Sequence, residues 1–160
     1  LENMKKKIAS QNLSDSNPAL NLSNWISGIP LIYYPHGLES AAIRFKSSLQ
    51  ENAKTHVIAE DIIEACHNGI VGWEKPSTVQ PILLRGQDDY IKTKQRWNIL
   101  QEYFKDNKIE YREIFSIKGS IISKLVTLIY LLDYSSIYLA IKNKTDPSTV
   151  KPIEYIKNKL

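Results

Sequence analysis

Cysteine occurs once in these 160 residues, and glycine only six times. A lone Cys66 leaves no intrachain disulfide framework and fits a reducing compartment, so a cytoplasmic location is expected. Scarce glycine excludes a glycine-rich phosphate cradle. The nearest thing to one is Lys118-Gly119-Ser120, which has no Ser/Thr cluster around it. Charge of one sign is lacking too: the formal net charge of +4 comes from Lys and Arg spread over the chain, apart from Lys5-Lys6-Lys7. No basic stripe interleaved with aromatics is present, so a nucleic-acid partner is not expected. There is no visible signal peptide, no internal repeat and no initiator methionine; a start at Leu1 reads as a fragment of a longer protein.

What is present is ordinary for a globular chain, with 42% hydrophobic and 24% charged residues, and the length suits one domain with a real core. Residues 1–22 read as a linker with an N-terminal helix. Asn17-Pro18 supplies a cap and a first-turn proline for a helix through Leu20 and Trp25 that stops at Gly28. The domain proper is expected over 23–160. Ile29 to Tyr34 is an apolar run closed by Pro35-His36-Gly37, the pattern of a buried parallel strand. A helix through Arg44 to about Lys54, a strand over 55–59 and a short acidic helix or turn from Glu60 to His67 follow. A third strand, 79–85, contains Pro81, which argues for an early or edge-like position. An amphipathic helix over 91–104, a strand within 109–117, a helix over 120–143 and a short C-terminal helix complete the chain. Alternating strands and helices imply an α/β three-layer sandwich around a mostly parallel sheet of about five strands.

The helix over 120–143 is apolar nearly all round and long enough to cross a bilayer. Lys124, Asp133 and Ser135-Ser136 argue against a membrane. Burial between the sheet and a second subunit explains the run better, so a homodimer is expected.

The stretch 44–74 carries the chemistry. Glu51 falls in the last turn of its helix, where the negative end of the helix dipole disfavours a carboxylate's charged form unless Lys54 or Arg44 compensates. His67 follows on the far side of the second strand. A carboxylate and an imidazole are the side chains a proton-transfer enzyme uses near neutrality. Each also has a plainer reading: Glu51 as a solvated carboxylate paired with Lys54, His67 as a polar residue capping a turn. Glu64-x-x-His67 with Glu60 or Asp61 has the spacing of di-iron carboxylate motifs, but lacks partners on other helices.

Arg44-x-Lys46-x-x-Leu49-x-Glu51-Asn52-Ala53-Lys54, followed by His67-Asn68-x-Ile70-Val71-Gly72-Trp73-Glu74, resembles the signature of the bifunctional phosphoglucose/phosphomannose isomerases in their C-terminal sugar isomerase (SIS) domain. The resemblance continues through Asn17-Pro18-Ala19, Gly28 to Tyr33, Leu83-Leu84-Arg85, Asp133-x-x-Ser136-x-Tyr138-Leu139-Ala140 and Asp146-Pro147 to Lys157. It implies that Glu51 moves the proton between C1 and C2 of an open-chain sugar phosphate, that His67 assists ring opening, and that Lys157 reaches the active site. Arg44, Asn52, Lys54 and Asn68 would bind substrate. No cofactor or metal is called for. The resemblance also implies a missing half: the Ser-x-Ser-Gly-x-Thr phosphate loop is absent, Arg85-Gly86-Gln87-Asp88 stands at the comparable place, and the N-terminal SIS domain that carries the loop is not in this chain. The chain is therefore expected to be inactive without that domain. The other reading is a sugar-phosphate-binding regulatory SIS domain without turnover, which would have no use for Glu51 and His67.

Overall fold

Four parallel strands, β1 (Ile29–Tyr34), β2 (Ile58–Asp61), β3 (Val79–Arg85) and β4 (Arg112–Phe115), form one sheet in the order β2-β1-β3-β4. The computed structural model covers residues 1–160. Residues 30–33 of β1 are all buried, as expected of a parallel strand covered on both faces. Side chains alternate across the sheet. Ile32 joins one hydrophobic cluster, while Leu31 and Tyr33 join another on the opposite face.

The larger cluster packs α1 (Glu2–Ile8), α2 (Pro18–Trp25), α3 (Glu39–Ala53) and α6 (Ile121–Lys142) against the sheet. Phe45 and Leu49, one turn apart on α3, are fully buried there; each such burial is worth about 1.5–3 kcal/mol relative to exposure. The smaller cluster packs α4 (Ile62–Ala65), a 3₁₀ helix (Gly69–Glu74) and α5 (Ile91–Asp106) on the other face, with Trp97 and Phe104 fully buried. This is the expected three-layer α/β sandwich, with four strands where about five were expected. Once α6 takes up the last long apolar run, no fifth strand-forming stretch remains.

Local chemistry explains several boundaries. Asn17 caps α2 by accepting from the Ala19 and Leu20 N–H groups, both at 3.1 Å, with Pro18 at the first turn. A Cβ at Gly28 would lie 2.0 Å from the Thr78 carbonyl oxygen, so only glycine lets β1 start this close to the lead-in to β3. Pro81 sits on a central strand, where an edge-like position was expected. β4 begins opposite Ile82, so at Pro81 the strand is flanked by β1 alone, and the missing N–H falls where the sheet is locally an edge. Strand β2 starts at Ile58, later than the expected position 55, because α3 ends in a left-handed turn at Lys54 (φ 54°, ψ 35°) that carries the chain clear of the helix first.

The N-terminal stretch read as a linker is packed onto the domain. Ile8 is fully buried, and the Tyr138 hydroxyl on α6 donates to its carbonyl at 2.6 Å. Helix α6 is long and apolar enough to cross a membrane, but its Leu128, Leu131, Leu132, Ser135, Ser136 and Leu139 are buried against the domain. Its other side leaves Ile122, Val126, Ile137 and Ile141 exposed.

Candidate functional site

Helix α3 returns from the end of β1 toward the edge at which the strands begin, so its last turn lies at that edge. Ser47, Gln50, Glu51 and Lys54, spaced to share one face of the helix end, line a cleft of about 340 Å³. The opposite wall is Thr149, Val150, Pro152 and Ile153, leading into α7 (Lys151–Lys157). Glu51 is exposed to this cleft. The Lys54 ammonium donates to the Glu51 carbonyl at 2.6 Å and to the Thr149 carbonyl at 2.5 Å, joining the two walls. The turn before Thr149 is shaped by Asp146, whose Oδ1 accepts from the Ser148 hydroxyl and N–H at 2.7 and 2.9 Å. Those bonds hold its carboxyl below the usual carboxylate range.

A second face of α3 is tied to α6. Arg44 makes a forked hydrogen bond to Asp133, Nε to Oδ1 at 3.1 Å and Nη2 to Oδ2 at 3.0 Å, which raises the guanidinium's pKa further. Ser48 donates to Asp133 Oδ1 at 2.5 Å, and Asn52 Nδ2 donates to Ser136 Oγ at 2.7 Å. Positions 44, 48 and 52 thus form a polar seam along one side of α3, with Glu51 turned away from it.

His67 follows α4, on the face of the sheet opposite α3. It is exposed, and its imidazole has no hydrogen-bond partner. Its neighbour Asn68 donates to Glu64 Oε1 at 2.5 Å. Beneath, Trp73 donates through Nε1 to the buried Tyr33 hydroxyl at 3.0 Å, and burial pushes the Tyr33 pKa up to about 12. Burial, then the neighbouring Glu64 and Asp61, raises the Glu60 carboxyl. Glu60, Asp61, Glu64 and His67 do not converge as a set that could hold a metal ion. The sheet therefore stands between Glu51 and His67 within one chain, and no single cleft of the monomer holds both.

Lys157 lies on α7, exposed and without an ion pair, four residues beyond Ile153 and so on the same side of that helix as a residue of the cleft wall. Among the cleft residues, Ser47 and Gln50 were readable from helical spacing around Glu51. Thr149 was not, because it meets Lys54 across 95 positions of sequence and uses only its carbonyl.

Ligands of open α/β sheets bind where strand order reverses, here between the carboxyl ends of β1 and β3. That edge is spanned by the chain's own groups. Lys124 pairs with Asp88 at 2.5 Å, and Ile121 Cδ1 lies 3.7 Å from where a Cβ on Gly37 would stand. Asp89 Oδ2 accepts from the Gly86 N–H at 3.0 Å and from Trp97 Nε1 at 3.1 Å. The loop 85–88 thus already satisfies its N–H with a carboxylate, which repels a phosphate.

Sequence comparison agrees with this architecture. Residues 15–160 match the family described as bacterial phospho-glucose isomerase C-terminal SIS domain. A bifunctional phosphoglucose/phosphomannose isomerase from Caldicellulosiruptor bescii is 34% identical over 88% of this chain and 43% of its own length. One from Aquifex aeolicus is 27% identical over the whole chain and 51% of its own length. The chain thus spans about half the length of the curated relatives it matches. A glucose-6-phosphate isomerase like protein from Thermus thermophilus shares the fold, with a TM-score of 0.75 at 15% identity, over 92% of this chain and 51% of that one. This chain belongs to the bacterial phospho-glucose isomerase C-terminal SIS domain family.

Proposed function

We propose that this chain is the C-terminal half of an aldose–ketose isomerase that interconverts glucose 6-phosphate or mannose 6-phosphate with fructose 6-phosphate through a cis-enediol. Glu51 is the base that carries the proton between C1 and C2, and His67 assists ring opening. The observation that carries the reading is the cleft at Glu51, walled by α3 and the lead-in to α7, in a chain whose relatives are named as these isomerases. A carboxylate on a cleft wall can be screened from water once a second domain closes over it, as proton transfer at carbon requires. The N-terminal SIS domain would supply that cover and the phosphate site, since loop 85–88 is occupied by Asp89.

Glu51 and His67 can serve one reaction only if they come from two copies, because the sheet separates them within each. A homodimer in which His67 of one copy reaches the Glu51 cleft of the other meets that requirement. We place the enzyme in the cytoplasm, in sugar-phosphate metabolism. The test is Glu51→Gln in the protein that includes the N-terminal domain, which keeps shape and hydrogen bonding while removing basicity. Turnover is expected to fall ~10²–10⁴-fold with substrate binding little changed. Retained turnover would remove Glu51 as the base, whereas absence of turnover in the unsubstituted protein would leave the regulatory, non-catalytic reading in its place.

A further inference from the structure

We propose that Lys54 is a positioning residue, a strap that holds the C-terminal segment 146–157 across the cleft so that the far wall faces Glu51. This rests on the isomerase reading for its catalytic consequence, but the strap is a property of the fold.

The attachment of the segment is slight. No residue of α7 is buried. Ile153, Tyr155 and Ile156 are all exposed. The bond from Lys54 Nζ to the Thr149 carbonyl is the one hydrogen bond between residues 146–160 and the rest of the domain. Without it, no hydrogen bond would tie the wall formed by Val150, Pro152 and Ile153 to α3.

The backbone points the same way. Lys54 has φ 54°, a left-handed conformation in which glycine is the unstrained choice at a helix end. Lys108 and Lys144 share that conformation, at φ 56° and 54°, but neither side chain makes a hydrogen bond. Only at position 54 is the strained residue used. The left-handed turn leaves the Nζ able to meet two carbonyls at once, Glu51 O on the last turn of α3 and Thr149 O beyond it. Two charge-assisted bonds from one ammonium fix the segment relative to the backbone of the base itself. Lys157 lies on the same segment, so the strap also sets where that ammonium can reach.

This role differs from direct binding of substrate by Lys54. A substrate-binding lysine, when lost, raises KM; a positioning lysine, when lost, lowers kcat while KM changes little.

Lys54→Gly separates the strap from the helix end. Glycine relieves the left-handed backbone, so thermal stability is expected to hold or rise while the strap is lost. Lys54→Arg keeps two donors and serves as the rescue. Hydrogen–deuterium exchange on the 160-residue chain reads the strap directly. The amides of residues 153–158 are expected to exchange at least ~10-fold faster in Lys54→Gly, with α3 unchanged and Lys54→Arg close to the original. In the protein with its N-terminal domain, kcat is expected to fall ~10²-fold in Lys54→Gly with KM nearly constant, and to recover in Lys54→Arg. Unchanged exchange in α7 overturns the proposal, as does faster exchange with an unaltered kcat, or a rise in KM alone. If Glu51→Gln keeps its activity, Glu51 is not the base, and if the unsubstituted protein with its N-terminal domain shows no turnover, the isomerase reading fails; in either case the exchange measurement still decides the strap.

Discussion

Asn52 donates through Nδ2 to Ser136 Oγ at 2.7 Å, one residue after Glu51 and on the other side of the same helix turn. Ser136 in turn donates to the Asp133 carbonyl at 2.7 Å, and Asp133 receives Arg44 and Ser48. The helix that carries Glu51 is thus fixed along a seam of side chains that point away from the cleft. If that seam bears on stability, a double-mutant cycle of Asn52→Ala and Ser136→Ala in urea unfolding should show a coupling of about 0.5–1.5 kcal/mol. Additive effects would mean that the 2.7 Å contact contributes nothing to holding α3 on α6.

The separation of Glu51 and His67 by the sheet makes mixing of inactive proteins informative. Glu51→Gln and His67→Ala variants, each with the N-terminal domain, should both be inactive alone. Coexpressed, half of randomly assorted dimers are mixed, and each mixed dimer holds one intact pair, so about a quarter of the original activity should return. No recovery from demonstrably mixed dimers would show that the two residues do not meet across copies.

Alkaline pH should act through Tyr33. Its pKa of about 12 in the fold lies above the ordinary 10, chiefly because burial disfavours the phenolate. Between these values the folded chain keeps a proton that the unfolded chain releases. The contribution to stability is therefore complete below about pH 10 and is lost as pH rises from about 10 to about 12. Urea midpoints across that range should fall more steeply for the original protein than for Tyr33→Phe. Parallel slopes would remove Tyr33 as the cause.

The 160-residue chain by itself should bind sugar phosphate poorly and show no measurable isomerase activity, because Asp89 already accepts from the Gly86 N–H in loop 85–88. Addition of the N-terminal SIS domain should restore turnover. A coupled assay with both sugar phosphates decides this, and activity of the chain alone would reveal a phosphate site elsewhere on it.

The parts of the fold that were legible in sequence are those dictated locally. The Asn17-Pro18 start of α2, the run Ile29–Tyr34 and the segment Val79–Arg85 carry their signals in neighbouring residues, and each lies where its pattern put it. Pro81 on a central strand was not legible, because its tolerance depends on where β4 begins, a long-range matter of register. The site divides in the same way. Glu51 at the end of α3 follows from helical periodicity, whereas the opposite placement of His67 follows from the face on which α4 packs. That choice rests on Ile62 and Ala65 meeting Trp97 and Phe104, which no short window of sequence contains. Lys54 was legible as part of a motif, but its bond to a backbone carbonyl was not, since any residue at 149 would offer the same acceptor.

The two faces of the sheet draw on different spans of the chain, and this bears on the order in which the protein can mature. The smaller cluster needs only residues from Leu31 to about Tyr111. The larger cannot close until α6 exists, since Leu128, Leu131, Leu132 and Leu139 supply its far side and Tyr138 reaches back to Ile8. A nascent chain emerging from the ribosome therefore holds one finished face while Phe45, Leu49 and Ile82 remain uncovered. During that interval the molecule is vulnerable to aggregation, and its last long helix ends the exposure.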